Sequence, residues 1–397
     1  MWTLGIDVAK RRHVATLLDE AGKRAFNNFS FANSREGFES LHNRIQAVGV
    51  SADNILIGME ASGHYWMILY HWLCAAGFQV RVINPLMTAA RRNVGIRGTK
   101  TDAVDAELIA HILREADPKF SAVPDGRTRQ LRDLMRLRFE CAQTMVAEKQ
   151  RLIALLDLVF PEYTQHFCDI FGAASREILS QFPTAKELVK IDIRKLTRII
   201  KESSKGRMGR KHAERLKTSA KNSIALNTSV DTFALEIRFI VERMNLLSAH
   251  IEELEKQAKH HLKEEQQLLR SIPGIGPVWA PTILAEVLPF FHPEEKNGAR
   301  KLVATAGLDV RLNESGESKG RGKMSKRGSK YLRTAAFQAA EVAALIAHDP
   351  LFKGVYDKQR NRGKNHRVAV SHAANKLLHV VFSVLKNRRP YEVRLAH

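Results

Sequence analysis

Short apolar runs alternate with amphipathic stretches over the first 125 residues. The apolar runs have the length and composition of buried strands and lie at residues 2–9, 54–61 and 78–85. Two further strand-like stretches flank Asp19–Gly22, which predicts a hairpin turn. Helical periodicity predicts helices between these strands, at residues 33–47 with Asn33 and Ser34 as caps, and at 65–77.

This order is three strands, a helix, a strand, a helix, a strand and a further helix. It predicts a mixed sheet with helices packed on it, and it matches the order of the α/β RNase H-like fold. We therefore predict one α/β domain over residues 1–125.

A different pattern follows, in which apolar residues recur at helical spacing over two long stretches, 128–160 and 233–269. The two predicted helices could form an antiparallel hairpin within the chain or a coiled coil between two copies. The segment between them, 161–230, is rich in Ser and Lys and mostly helical, with an exposed basic loop at 203–211. We predict a helical, coiled-coil region over 126–265 that contains this insertion.

The last region, 266–397, is predicted to be a mostly α-helical domain. It begins with a Pro-Gly-Ile-Gly turn at 273–276 that resembles a helix-hairpin-helix turn. Glycines there would let backbone amides approach a phosphate, although such turns also serve simple packing. A basic loop rich in Gly and Ser reaches about Gly328, with neither helix nor strand expected, and helices at 329–347 and 366–387 close the domain.

The charge of the chain points to a polyanionic partner. Lys and Arg number 63 against 42 Asp and Glu, a formal net charge of +21. Residues 311–397 contain 19 basic and 6 acidic residues, whereas residues 1–120 contain 14 and 12. We therefore expect nucleic acid to bind mainly through the C-terminal region.

Several classes of protein are disfavoured. Cys74, Cys141 and Cys168 are far apart and form no CxxC pair, so neither a zinc ribbon nor a disulfide framework is supported. The histidines show no ligand spacing. Neither a signal peptide nor an apolar stretch long enough to span a membrane is evident, so we expect a cytoplasmic protein.

Four carboxylates lie where the predicted elements could bring them together. Asp7 is on the first strand, Glu60 ends the fourth, and Asp102 and Asp105 are three apart on a helix that Thr101 could cap. Any one of them alone is more often a solvated surface charge, but an unpaired carboxylate in the apolar run around Asp7 would be costly to bury. Together they would need cations, and two Mg²⁺ could activate water and stabilise the leaving oxygen of a phosphodiester.

Seven short blocks in this order resemble a known family. They are GIDVAK, EASGHY, INP, KTDAVDA, IPGIG, ATAGL and ESG followed by MSKRGSKYLR. The set resembles the DEDD transposases of bacterial insertion sequences over roughly 1–160 and 230–390. Residues 161–230 match nothing in that pattern.

The resemblance implies a RuvC-like N-terminal domain and a separate C-terminal transposase domain. It implies that Asp7, Glu60, Asp102 and Asp105 are a catalytic, metal-binding tetrad for Mg²⁺ or Mn²⁺, and that Ser315 is a catalytic serine. Some members use a bridge RNA that pairs with target and donor DNA. The family also suggests a homo-oligomer, dimer or tetramer, in which the carboxylates of one subunit meet the serine of another.

The residues around Ser315 add little specificity of their own, because a serine in a Gly-rich loop usually serves turn formation. Nearby cations could stabilise charge on a phosphate and bind nucleic acid; they are Lys319, Arg321, Lys323, Lys326, Arg327 and Lys330. Three functions remain open: a transposase acting through a serine–DNA bond, a RuvC-type nuclease using metal-activated water alone, and a non-catalytic nucleic-acid-binding protein. The carboxylates disfavour the third, and the C-terminal domain disfavours the second.

Overall fold

The computed structural model describes residues 1–92, 101–115, 120–226, 228, 230–311, 314–315, 318–319 and 322–393, without the side chains of 311, 314, 315, 318, 319 and 323. The chain forms two compact units, Met1–Val123 and Pro124–His397. The finer division into 1–125, 126–265 and 266–397 stays a prediction.

The first unit is a mixed sheet with helices packed on it. Its strands are β1 (Trp2–Asp7), β2 (Arg12–Leu18), β3 (Arg24–Ala32), β4 (Ile55–Glu60), β5 (Gln79–Ile83) and β6 (Phe120–Ser121), in the order β3-β2-β1-β4-β5-β6. Its helices are α1 (Arg35–Gln46), α2 (Trp66–Ala75), α3 (Pro85–Arg92) and α4 (Asp102–Ile112).

Strand directions in this sheet follow the connections between the strands. β1, β2 and β3 pair antiparallel through tight turns, whereas β1, β4 and β5 are parallel and joined through α1 and α2. The predicted hairpin is confirmed, with Gly22 at φ +85° in its turn, and Ser34 caps α1 by accepting from the amide of Gly37 at 3.2 Å. This topology is compatible with an RNase H-like fold. β6 was not predicted from the sequence, because its two residues are too few to show the alternation of apolar and polar positions that marks a strand.

The second unit is mostly helical. Its helices are α5 (Gly126–Val159), α6 (Ala173–Gln181), α7 (Ala185–Lys190), α8 (Ile193–Ser203), α9 (Arg210–Lys221), α10 (Val230–Ala258), α11 (Lys263–Arg270), α12 (Trp279–Val287), α13 (Gly298–Thr305), α14 (Lys330–Leu345), α15 (Pro350–Asn361) and α16 (His366–Asn387). In the described part of the segment between α13 and α14 the backbone forms short strands: β7 (Val310–Arg311), β8 (Glu314–Ser315), β9 (Ser318–Lys319) and β10 (Lys323–Met324).

The two long helices pack against each other within the chain. Arg243 on α10 pairs with Glu148 on α5, and Arg138 on α5 pairs with Glu255 on α10, so the helices are antiparallel. The hairpin alternative is therefore present, and a coiled coil between copies stays a prediction. The second helix is shorter than expected, because it ends at Ala258 and Leu262 has the left-handed φ of 49° before α11 starts.

Two separate cores stabilise this unit. One joins the adjoining parts of α5 and α10 to α6, α7, α8 and α9, with Tyr163 and Phe160 fully buried. The other is formed by α11 to α16, with the buried side of α14 made largely of alanine. The predicted insertion is thus an ordered helical layer, and the expected basic loop at 203–211 is shorter, because α8 ends at Ser203 and α9 begins at Arg210.

The Pro-Gly-Ile-Gly turn lies between α11 and α12, where its first glycine serves packing. Gly274 has φ +83°, and a Cβ there would lie 2.0 Å from the carbonyl oxygen of Ala339 on α14. A side chain would therefore separate the turn from α14. A phosphate-facing role is not supported for Gly274, whereas Gly276 has open space around its Cβ position.

Three expectations for the C-terminal region need correction. The loop after α13 contains the short strands β7 to β10, and α15 was not predicted between the two closing helices. Among the described residues, α16 is long and apolar enough to span a membrane by length and composition, although half of that stretch is buried in the core. It packs there against α14 with residues such as Leu377 and Val381.

Candidate active site

Asp7 and Glu60 lie side by side at one edge of the sheet. Each is the last residue of its strand, and β1 and β4 are parallel with Ile6 opposite Met59. The next step of this register brings Asp7 and Glu60 to the same level. Both carboxylates are half-buried because the strands that carry them are in the core of the sheet.

Helix α4 lies directly on β1, and Gly5 makes this possible. A Cβ at Gly5 would lie 1.9 Å from the carbonyl oxygen of Ala106 and 2.5 Å from the amide nitrogen of Ala110. No side chain fits in that space, so the glycine sets the distance between helix and strand. The first turn of α4 is thereby placed near the end of β1.

That first turn carries the other two predicted carboxylates. Thr101 caps α4, its hydroxyl oxygen accepting from the amide of Val104 at 3.3 Å. Asp102 and Asp105 follow, three residues apart and therefore on one side of the helix. Asp105 is buried with 9% of its surface exposed, whereas Asp102 is exposed.

Two side chains of α3 donate hydrogen bonds to Asp105 and Glu60. Arg92 donates to Oδ1 of Asp105 from Nη2 at 2.8 Å. The buried Thr88 donates its hydroxyl to Oε2 of Glu60, and Ser62 donates to Oε1 at 2.6 Å. Both oxygens of Glu60 are therefore fixed by hydroxyl donors, which restricts the rotation of its carboxylate.

The pKa of Asp7 reflects both its burial and the charges around it. The pKa of Asp7 is raised to about 6, first by burial and then by the negative charges of Asp102, Asp105 and Glu60, while the charge of Arg92 opposes them. Like charges that lie near one another disfavour the ionised form of each. The register of β1 and β4 and the packing of α4 on β1 place the four residues singled out from the sequence in the same region of the first unit.

The donor set fits a hard divalent cation. In the described part of the chain, no three His, Cys, Asp or Glu side chains are grouped tightly enough to hold an ion as they stand. Carboxylate oxygens are nevertheless the ligands that Mg²⁺ and Mn²⁺ prefer, and the repulsion that raises the pKa of Asp7 is what a cation between the carboxylates would relieve.

Ser315 belongs to the second unit. Its backbone forms β8, which pairs with β9 through Ser315 and Ser318, and its side chain lies outside the described residues. The same holds for the side chains of Lys319, Arg321 and Lys323.

The remaining predicted basic residues are described. Lys326 and Arg327 are exposed, and the ammonium of Lys330 lies 5.0 Å from the ring centroid of Tyr331.

The sequence did not single out Gly5, Ser62, Thr88 or Arg92 as site residues. Ser62 lies two residues after Glu60, and Gly5 two before Asp7, so proximity to a candidate acid was a usable signal. Thr88 and Arg92 reach the site because α3 packs beside the end of the sheet. The local sequence pattern does not predict that tertiary contact.

Two family models match parts of this chain. A DEDD transposase model of the IS110 type, described as a transposase, matches residues 4–161 and includes all four carboxylates. A second model, described as transposase of the IS116/IS110/IS902 family, matches residues 266–357.

Whole-length relatives are similar throughout. The pilin gene-inverting protein of Moraxella bovis is 24% identical over 398 residues, which cover 99% of this chain and 98% of the relative. The mini-circle putative transposase for IS117 of Streptomyces coelicolor is 25% identical over 406 residues, covering 99% and 95%. Two family models that together match more than half of the residues, and relatives aligned along nearly the whole length, show that this chain belongs to the IS110 family of DEDD transposases, enzymes that rearrange DNA.

Proposed function

We propose that this protein cuts and rejoins DNA through a covalent serine–DNA intermediate, with a cation held by Asp7, Glu60, Asp102 and Asp105. The observation that carries the proposal is the placement of these four carboxylates at one edge of the sheet. Asp7 and Glu60 end adjacent parallel strands, and Asp102 and Asp105 lie on the helix that packs against Gly5 of β1. In a protein that only bound nucleic acid, negative charges facing the phosphates would weaken the binding. Their grouping is explained if a divalent cation lies between them and the scissile phosphate.

Each residue has a separate part in this proposal. The carboxylates would hold Mg²⁺ or Mn²⁺, which when bound supplies positive charge to the phosphate oxygens. Thr88 and Ser62 orient Glu60, and Arg92 balances part of the charge on Asp105. Gly5 keeps α4 close to β1 so that the two halves of the tetrad stay together.

Ser315 is the proposed nucleophile. Its Oγ would form a bond to phosphorus as the bond between phosphorus and a deoxyribose oxygen breaks, and that oxygen leaves with a proton, as Ser315 loses one. One phosphodiester is exchanged for another, so rejoining needs no ATP. Lys319, Arg321, Lys323, Lys326, Arg327 and Lys330 are the proposed contacts to nucleic-acid phosphates near this serine.

The proposal extends to partners and location. Membership of the family implies DNA binding. We further propose that a bridge RNA guides the choice of donor and target, that the active form is a homo-oligomer, and that the protein works in the bacterial cytoplasm at the nucleoid. The net charge of +21 is the observation that favours a large polyanionic partner.

The test is a cleavage and strand-joining assay on a supercoiled donor with each carboxylate replaced by Ala in turn. We expect each replacement to reduce both reactions by about a thousandfold or more, and EDTA to do the same. The exposed Asp53→Ala is the matched control, since Asp53 is an acidic residue of the same unit on a short turn before β4. Cleavage without joining and without a covalent adduct would favour a RuvC-type nuclease instead.

A further inference from the structure

Helices α7, α8 and α9 and their connections hold a dense run of positive charge that the proposed active site does not use. Residues 186–221 contain 13 Lys or Arg against four Asp or Glu, an excess of nine. The whole chain has an excess of 21. This short stretch therefore carries a large share of the net charge.

Most carboxylates of this stretch are already engaged. Asp192 caps α8, its Oδ1 accepting from the amides of Arg194 at 2.8 Å and Lys195 at 3.2 Å. Glu187 accepts from Arg238 of α10 at 2.7 Å, and Glu214 pairs with Arg210 at 2.7 Å. The fourth acidic residue, Glu202, is exposed on α8. With nine more basic than acidic residues, most of the cations are left without a counter-charge.

One face of α8 presents these cations in a row. Leu196, Ile199 and Ile200 are buried on the opposite side. Arg194, Arg198 and Lys201 are exposed and follow at spacings of four and three, which places them on one side of the helix. Within the described residues, none of the three makes an ion pair with a carboxylate.

The connection from α8 to α9 extends this row. Lys205 and Arg207 are exposed there, and a side-chain hydrogen bond closes the turn. The buried Ser204 accepts from the amide of Met208 at 3.0 Å through its hydroxyl, and Gly206 has φ +80°. The two cations are therefore held on a defined turn beside the end of α8.

We propose that this face, defined by Arg194, Arg198, Lys201, Lys205 and Arg207, binds the sugar–phosphate backbone of a nucleic-acid duplex. Arg194 and Lys201 are seven residues apart, or about 10 Å along a helix. That matches the axial rise of about three nucleotides of one strand. Such contacts position a duplex without reading its sequence.

A membrane surface fits this face less well. Helices that lie on membranes insert a large apolar side into the lipid. Here the apolar side of α8 is buried in the core, and among described residues 186–221 no large hydrophobic side chain is exposed. Charge without exposed apolar surface favours phosphates in water.

The inference rests on the proposed function only in taking nucleic acid as the substrate class. Its test compares two proteins, each made in the Asp102→Ala background so that no strand is cut. The first carries Arg194→Gln, Arg198→Gln and Lys201→Gln. The matched control carries Lys256→Gln, Lys259→Gln and Lys263→Gln, which removes the same charge from a stretch where carboxylates such as Glu253 and Glu264 alternate with the lysines.

Fluorescence anisotropy then measures the affinity for a duplex DNA and for an RNA hairpin of the same sequence over a range of salt. We expect the α8 variant to bind at least one of them roughly tenfold more weakly. The slope of log affinity against log salt should fall by about 0.9 for each phosphate that the variant no longer neutralises. The affinity and the salt slope of the control should stay close to those of the parent protein.

The two ligands distinguish the source of the phosphates. Loss for DNA alone assigns the face to donor or target DNA, loss for RNA alone assigns it to a guide RNA, and loss for both assigns it to any duplex backbone. Unchanged affinity and slope for both, in a variant whose thermal unfolding matches the control, would overturn the proposal. Binding to vesicles of anionic phospholipid that falls in the variant while nucleic-acid binding does not would also overturn it. Cleavage is not measured, so failure of the serine mechanism leaves this result readable.

Discussion

Arg92 donates two hydrogen bonds to the same oxygen of Asp105, from Nη2 at 2.8 Å and from Nε at 3.1 Å. Arg92 ends α3 and Asp105 lies in the first turn of α4, so the pair joins two helices beside the end of the sheet. The positive charge of Arg92 lowers the pKa of Asp7, whereas burial and the three carboxylates raise it. Arg92 therefore relieves part of the repulsion within the tetrad.

Removing this arginine charge should destabilise the protein when divalent metal is chelated. We expect Arg92→Gln to lower the Tm by about 2–4 °C in EDTA, because Asp105 loses its partner and the carboxylates repel one another more strongly. Mg²⁺ should restore more of the Tm in the variant than in the parent. Arg91→Gln is the control, since Arg91 pairs with Glu115 at the surface. A Mg²⁺ effect equal in all three proteins would contradict a cation site at Asp105.

Replacing Asp7 by Asn should stabilise the protein and abolish cleavage. The pKa of Asp7 is raised from 3.8 to about 6, so the folded state binds its proton more tightly than the unfolded state does. The contribution of Asp7 to stability is therefore largest below about pH 4 and is lost as the pH rises through about 6. Asn stays neutral, so Asp7→Asn should exceed the parent in Tm above pH 6 and lose this part of the pH dependence.

The measurement is the Tm in EDTA from about pH 4 to about pH 8, where the gain should be a few degrees at the upper end. Asp53→Asn, an exposed aspartate of the same unit, should follow the parent curve. If Asp7→Asn follows it too, neither burial nor the neighbouring carboxylates raise the pKa of Asp7 in the folded protein.

The sequence could single out the four candidate carboxylates because local signals mark the elements that carry them. Asp7 and Glu60 end apolar runs that are too short for helices. Thr101 is a typical N-cap residue and predicts the start of the helix that carries Asp102 and Asp105. The order of strands then brings them to one edge. What local signals do not contain is the contact of α3 with that edge, so Thr88 and Arg92 were not predicted.

Other differences have the same origin in tertiary contacts. Nothing in the composition around Ala258 marks the end of α10, because neither Pro nor Gly is present there and the left-handed residue is Leu262. The role of Gly274 depends on α14, which is some 60 residues away in sequence and lies against the turn. A phosphate-binding glycine and a packing glycine look alike until that helix is placed.

The long helices provide a surface on which two copies could associate. Leu235, Phe239 and Leu246 of α10 are about half exposed, and their spacings of four and seven place them in one stripe. We expect sedimentation with nucleic acid bound to show a dimer or a tetramer. Replacing all three by Ser should weaken association by at least tenfold, whereas Ile68→Ser, an exposed apolar residue of α2, should not. A monomer in the parent complex would refute the oligomer.

An oligomer also allows a composite site to be tested. Asp102→Ala and Ser315→Ala should each be inactive alone, and mixing them should restore part of the activity if carboxylates of one subunit act with the serine of another. The Asp7→Asn protein mixed with Asp102→Ala is the control, because both lesions lie in the same unit and no intact tetrad can form. Activity equal in the two mixtures would show that complementation does not depend on Ser315.

Ser315 should be the residue that becomes joined to DNA. It lies on β8 within the basic segment between α13 and α14, where cations can stabilise the charge that develops as a serine attacks a phosphate. We expect Ser315→Ala to bind DNA normally and to form no covalent adduct on a nicked suicide substrate, and peptide mass mapping of the parent protein to place the DNA on Ser315.

Two serines nearby are suited as controls. The backbone of Ser318 pairs with that of Ser315 between β8 and β9, and Ser325 already donates its hydroxyl to Asp309. Ser318→Ala and Ser325→Ala should therefore reduce activity less. Ser315→Cys should keep a trace of cleavage, because a thiol can replace the hydroxyl as nucleophile. DNA found on Tyr331, Tyr356 or another serine would assign the nucleophile elsewhere. Cleavage with no adduct at all would mean that water attacks the phosphate, and the carboxylate site would then act as that of a nuclease.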